Sequence, residues 1–254
     1  MTAVTHDSIS LRGAGIVTII QPKKGNRFTL DSLLLADFSR IKSGDRVLEP
    51  GAGTGVISIL LAKKFPRARF VADEVEPLPY DLLCRNIEGN GLLDKIAPVN
   101  RDIRYLNRSI APDAFDVIVA NPPYTKWGAG RKSPSVERHI ARHDQSAPLS
   151  LWLNLQPLLK NKGRYFLVFP AGRTAELMAL LHEKKMEPKR LRFVHPYEQR
   201  PASLVLLEAV KSAGIGLETL PPLIVHEAGG TYTEEVRRIY DVPRCESASF
   251  PVIP

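Results

Sequence analysis

Short apolar runs alternate along this chain with stretches whose apolar residues recur at helical spacing. Ile16-Val17-Thr18-Ile19-Ile20 is a strand candidate, and a turn follows over residues 22–25. A helix is expected next. Thr29 suits its N-cap, and Leu33, Leu34, Phe38 and Ile41 supply an apolar stripe. From Arg46 the two signals take turns. Strands are predicted over 46–49, 69–75 and 96–100, with helices over 56–65 and 78–90. Residues 115–120 form a continuous apolar run, the pattern of a strand buried on both faces. A helix over 149–159, a strand over 164–169 and a helix over 174–185 follow. Strands over 191–194 and 204–207 come last.

Strands alternating with helices predict an α/β fold, Rossmann-like, with a doubly wound, mostly parallel sheet and helices on both faces. The short connection between the last two strands leaves room for one of them to run antiparallel. Two loops break the rhythm. One runs from Asn121 to about Ala147, and the other follows Gly214. Loops that long inside a domain are usually functional or disordered. The expectation is one domain over 1–254. Residues 1–40 make an N-terminal strand, turn and helix extension, and residues 41–254 make the catalytic core.

The first strand of the repeat ends in Glu49-Pro50-Gly51-Ala52-Gly53-Thr54-Gly55. Glycines take positive φ and let a backbone approach a ligand closely. In open α/β sheets, ligands bind outside the carboxyl ends of the strands. A glycine-rich turn alone also fits a dinucleotide site. Glu49 argues otherwise, because a carboxylate there would repel a pyrophosphate but can receive the ammonium of a methionine moiety. The glycines fall at 51, 53 and 55, which is not the dinucleotide spacing. The second strand ends in Asp73-Glu74. Glu74 is the expected partner of ribose hydroxyls, with Asp73 as the alternative. Asp102, after the third strand, can accept a hydrogen bond from an adenine amino group. Glycine loop and acids together point to S-adenosylmethionine, held by Glu49, Gly51, Gly53, Thr54, Gly55, Glu74 and Asp102.

Asn121-Pro122-Pro123-Tyr124 follows the buried strand 115–120 directly. Asn-Pro alone marks a turn. After a buried strand and downstream of a cofactor loop it has a chemical reading. An exocyclic or amide nitrogen is a poor nucleophile because its lone pair is delocalised. The Asn121 side-chain oxygen and the Pro122 carbonyl offer two rigid acceptors for its two N–H bonds. They favour the positive charge that builds on nitrogen during methyl transfer. Tyr124 adds a face on which a planar target can stack. Asn121, Pro122 and Tyr124 are the expected catalytic residues, and Asn121 is expected to touch the cofactor as well.

Charge extends this picture. The 254 residues carry a formal net charge of +8, which favours association with phosphates. Lys126, Arg131, Lys132, Arg138 and Arg142 crowd the loop after Tyr124, with Trp127 among them. With Pro123 and His143 they form the expected substrate surface, suited to an exposed base on a nucleic acid. No apolar run approaches the roughly 20 residues of a membrane-spanning helix, and the first ten residues lack an apolar core. A cytoplasmic protein without a signal peptide is expected. Cys84 and Cys245 form no Cys-x-x-Cys pair, and His139 and His143 lack matching ligands, so no metal is expected.

With these motifs the chain resembles class I methyltransferases of the Asn-Pro-Pro-Tyr type. More narrowly it resembles the bacterial tRNA (valine) adenine-N6 methyltransferases. The resemblance is carried by residues 21–36, by residues 121–144 with Gly128-Ala129-Gly130-Arg131 and Ala141-Arg142-His143-Asp144, and by 191–196 and 221–225. It implies a seven-stranded sheet with the last strand antiparallel. It also implies N6 methylation of the adenine just 3′ of a tRNA anticodon. By the same resemblance Glu49, Gly51, Glu74 and Asp102 bind the cofactor, and Asn121 and Tyr124 handle the base. Arg27, Phe28 and Asp31 then line the cofactor or base pocket. Methylation of a protein glutamine, or of another RNA or DNA, uses the same four-residue motif and stays open at this point. A non-catalytic RNA-binding role on the same fold is a third reading.

Overall fold

The computed structural model describes residues 3–25, 27–123 and 148–240. It opens with a hairpin of β1 (Val4–Leu11) and β2 (Gly15–Pro22), paired in register from Val4↔Pro22 to Leu11↔Gly15. The pattern of residues 4–11 is polar and predicted no strand. Pairing with β2 creates it, and it buries Ile9 and Leu11. Helix α1 (Leu30–Phe38) follows, with Thr29 at the N-cap position in extended backbone but without a side-chain capping bond.

The repeat then unfolds as β3 (Arg46–Pro50), α2 (Val56–Lys64), β4 (Arg69–Asp73), α3 (Pro77–Gly89), β5 (Ile96–Val99), α4 (Ile103–Ser109) and β6 (Phe115–Ala120). After the undescribed stretch come α5 (Leu149–Leu153), a 3-10 turn (Gln156–Leu158), β7 (Leu159–Pro170), a second 3-10 turn (Ala171–Arg173) and α6 (Thr174–Glu183). The chain continues through β8 (Met186–Tyr197), β9 (Leu204–Lys211), β10 (Glu218–Thr219), β11 (Leu223–His226) and α7 (Glu234–Tyr240). The helix predicted over 149–159 is therefore cut short: Pro157 sits in a 3-10 turn, and Leu159 already pairs with Phe115.

The main sheet runs β10-β8-β9-β7-β6-β3-β4-β5, with β11 also on β8. Strands β5, β4, β3, β6 and β7 are mutually parallel, and β9 is antiparallel to both β7 and β8. The seven-stranded core with an antiparallel last strand is as expected. Two short strands on the free edge of β8 extend it to nine.

Period-two burial in the central strands sends side chains to two separate cores. In β6, Val117 and Val119 join the core under the hairpin, α1, α2, α3 and α7. Ile118 and Ala120 join the opposite core under α4, α5 and α6. Helices thus cover both faces, and the carboxyl ends of β3, β4, β5 and β6 are left to carry loops. Among the described residues no helix is long and apolar enough to cross a membrane.

Candidate active site

The glycine loop springs from the end of β3 with three glycines in left-handed backbone: φ is +62° at Gly51, +57° at Gly53 and +85° at Gly55. A Cβ at Gly51 would lie 2.5 Å from Trp152 Cη2, and one at Gly55 would lie 2.3 Å from Leu83 Cδ1. A Cβ at Gly53 would meet nothing within 4 Å. The loop is therefore packed tightly at both ends and open in the middle. Its backbone is pinned by Ala52 N–H to the Asp73 carbonyl at 2.7 Å and by Gly53 N–H to Glu74 Oε2 at 2.8 Å.

Glu49 lies beneath this loop, 3% exposed. One carboxylate oxygen, Oε2, accepts the Ser58 backbone N–H at 2.8 Å and the Ser58 hydroxyl. Burial pushes its pKa up to about 8; the Ser58 bonds oppose this, and the charge of Glu74 adds to it. Glu74 is buried as well. Its Oε1 accepts the Glu76 N–H at 2.8 Å, and burial raises its pKa. Asp73 points elsewhere: it accepts the Arg101 N–H at 3.1 Å, and burial raises its pKa to about 7. Of the two acids at this strand end, Glu74 is the one bonded to the glycine loop.

Asp102 is the N-cap of α4, accepting the Arg104 N–H at 2.9 Å. The Arg104 guanidinium holds both of its oxygens, and this pairing keeps the Asp102 pKa low.

Asn121 extends from the end of β6, and its Nδ2 donates to the Ser32 hydroxyl at 3.2 Å. Ser32 and Asp31 are buried on α1. Pro122 is buried and Pro123 exposed. Tyr124, Lys126, Trp127, Arg131, Lys132, Arg138, Arg142 and His143 lie outside the described residues, as does His139. Arg27 turns to the hairpin, bonding Thr5 Oγ1 and the Pro22 carbonyl at 2.9 Å and Asp7 at 3.1 Å. Phe28 is tied to the same hairpin through its N–H to Gln21 Oε1 at 3.2 Å. Among the described residues no group of three or more His, Cys, Asp or Glu is placed to hold a metal ion.

An amide at a sheet's carboxyl edge beside a buried acid and an open glycine loop can hold an amino group near a cationic donor. The methyltransferase small domain family matches residues 27–145. A tRNA1(Val) (adenine(37)-N6)-methyltransferase of Porphyromonas gingivalis is 30% identical over 198 residues, 76% of this chain and 76% of that protein. The chain belongs to this family.

This member of the adenine-N6 methyltransferase family is an N-methyltransferase, and its fold recurs in solved structures. A protein described as a predicted O-methyltransferase from Agrobacterium tumefaciens superposes with TM-score 0.68 at 18% identity, covering 83% of this chain and 95% of that one. TYW2 of Pyrococcus horikoshii in complex with MeSAdo gives 0.55 at 16% identity, covering 84% and 73%.

Several residues that shape the candidate site were not legible in the sequence. Ser58 and Trp152 contact Glu49 and Gly51, yet each reads as an ordinary member of a helix. Asn86 bonds the Thr54 carbonyl at 2.9 Å from a helix one crossover away. Ser32 had a signal: Asp31-Ser32 directly precedes four apolar residues on the same helix, and buried polar residues need a partner.

Proposed function

We propose that this protein methylates adenine N6 in a tRNA, beside the anticodon, using S-adenosylmethionine. The observation that carries the proposal is Asn121 at the end of β6, held by Ser32. Its Nδ2 is committed to that hydroxyl, so Oδ1 is the atom left to accept from a target amino group. The Pro122 carbonyl accepts the second N–H, and the two together orient the nitrogen.

The residues present suit the cofactor. The open face at Gly53 leaves room for a ligand against the backbone. Glu49, Glu74 and Asp73 gather three carboxyl groups at one end of the sheet, and a cationic ligand there would favour their ionised forms. When bound, S-adenosylmethionine supplies an electrophilic methyl group on a positively charged sulfur. Glu49 receives its ammonium, Glu74 its ribose hydroxyls and Asp102 its adenine amino group. Gly51, Gly53, Thr54 and Gly55 would line the cradle, with the buried Asp31 of α1 as a further candidate. Tyr124 stacks the target base. Lys126, Trp127, Arg131, Lys132, Arg138, Arg142 and His143, with Pro123, meet the RNA. A tRNA substrate also places the protein in the cytoplasm.

Incubation with labelled cofactor and bulk tRNA, followed by nucleoside mass spectrometry, tests this. N6-methyladenosine in tRNA is expected. Label in a polypeptide, with none in RNA, would overturn it in favour of glutamine methylation.

A further inference from the structure

Asn86 and Asn90 stand four residues apart on one side of α3's C-terminal end and meet the outer edge of β2. Asn86 Oδ1 accepts the Ile20 N–H at 2.7 Å, and its Nδ2 donates to the Ile20 carbonyl at 2.9 Å. Asn90 repeats the pattern on Thr18, at 3.2 and 2.8 Å. Thr18 and Ile20 are two apart, so their backbone groups address the same edge. The two amides thus serve as a substitute strand, while β1 pairs the other edge of β2.

Asn86 does something Asn90 does not. Its Nδ2 also donates to the Thr54 carbonyl at 2.9 Å. Thr54 lies between Gly53 and Gly55, both in left-handed backbone. Glycines leave a backbone loose, and a fixed carbonyl between them removes that freedom. The Asn86 side chain is 1% exposed, so water does not replace these bonds when they are lost. The same hairpin leads through Gln21, bonded to Phe28, into α1 and its Ser32.

We propose that Asn86 is a positioning residue for the cofactor loop, one amide that fixes the Thr54 carbonyl and the Ile20 edge of the hairpin together. This rests on the reading of the glycine loop as the S-adenosylmethionine site. Asn90 supplies the control: it docks the hairpin and bonds the Asn86 backbone carbonyl at 2.8 Å, but it has no bond to the loop.

The test is calorimetric titration of S-adenosylmethionine into the full chain, as wild type, Asn86→Ala and Asn90→Ala, with kcat measured at saturating cofactor. Asn86→Ala should weaken binding about tenfold, within the usual range for coupled sites. Its kcat should stay within about threefold, because the loss is in ground-state binding. Asn90→Ala should leave affinity within about twofold, since it removes no bond to the loop and leaves the Asn86 side chain in place. Equal losses in the two variants, or none in Asn86→Ala, overturn the inference alone. A wild-type protein that binds no cofactor overturns the reading of the loop and the inference with it. Should Asn86→Ala not fold, amide exchange on the wild type decides. By reciprocity, saturating cofactor should slow exchange at Ile20 about tenfold and at Thr18 much less. Unchanged exchange at Ile20 overturns the proposal.

Discussion

Asn121 and Ser32 meet across the site: the amide at the end of β6 donates to a hydroxyl on α1, 3.2 Å away. The bond joins two segments that are 89 positions apart in the chain. It orients the Asn121 amide, and in the proposed function it leaves Oδ1 to face the substrate. Ser32→Ala frees the amide to rotate and should lower kcat by about tenfold, a cost of roughly one hydrogen bond. Cofactor affinity should stay unchanged in the same calorimetric assay. Asn121→Ala removes the acceptor itself, and kcat should fall by about 10²–10³.

Gly51 has no room for a side chain. Its Cβ would meet Trp152 at 2.5 Å, and its φ of +62° is left-handed. Gly51→Ala combines overpacking with backbone strain, so about 2–4 kcal/mol of stability should be lost in urea denaturation. Gly51→Ala with Trp152→Leu removes the clash but not the strain and should recover part of the loss. Full recovery would show that φ contributes nothing.

Glu49 ties stability and binding to pH in opposite directions. Its pKa rises on folding from 4.5 to about 8, so the native state holds this proton more tightly than the unfolded chain does. The resulting stabilisation is complete below pH 4.5 and is lost as pH climbs towards 8. A cationic ligand needs the ionised form, so cofactor affinity should rise over the same interval with release of a proton. Calorimetry in buffers of different ionisation enthalpy measures that release. Glu49→Gln should abolish high-affinity binding and raise the melting temperature at pH 9 by about 4 °C or more. An unchanged melting temperature would mean that the buried carboxylate is not a burden on the fold.

Arg190 and Glu208 form a buried pair between β8 and β9, with Nη1 to Oε2 at 2.7 Å. Arg190 also donates to the Phe38 carbonyl at 3.2 Å and lies 4.3 Å from the Phe38 ring centroid. The pair therefore anchors the end of α1 to the sheet. Glu208→Gln leaves a buried guanidinium without its counter-charge and should cost about 3–5 kcal/mol. Arg190→Met with Glu208→Leu should cost much less, as read from paired denaturation curves.

Local patterns were enough for the strands of the repeat and for α2 and α3, because apolar periodicity is a local consequence of facing a core; the seven-residue α4, with Leu106 as its buried residue, gave no such period. They also marked the glycine loop, Glu49, Glu74 and Asn121 as candidates, since these sit at or directly after strand ends. The polar β1 was not legible, because only its pairing with β2 makes it a strand. Nor were the edge strands Glu218–Thr219 and Leu223–His226, too short to show a period and specified by the free edge of β8.

The amino-acid pattern alone carried the fold class and the N-methyltransferase reading. Residue type and position at a strand end carry that information without any distant partner. Which groups hold those residues in place emerged from the folded chain. Ser58 under Glu49, Ser32 against Asn121, Trp152 under Gly51, Arg104 on Asp102 and Asn86 on Thr54 are contacts, and most join segments far apart in the chain. Their specificity comes from distances that exist only once the sheet has brought its carboxyl ends together.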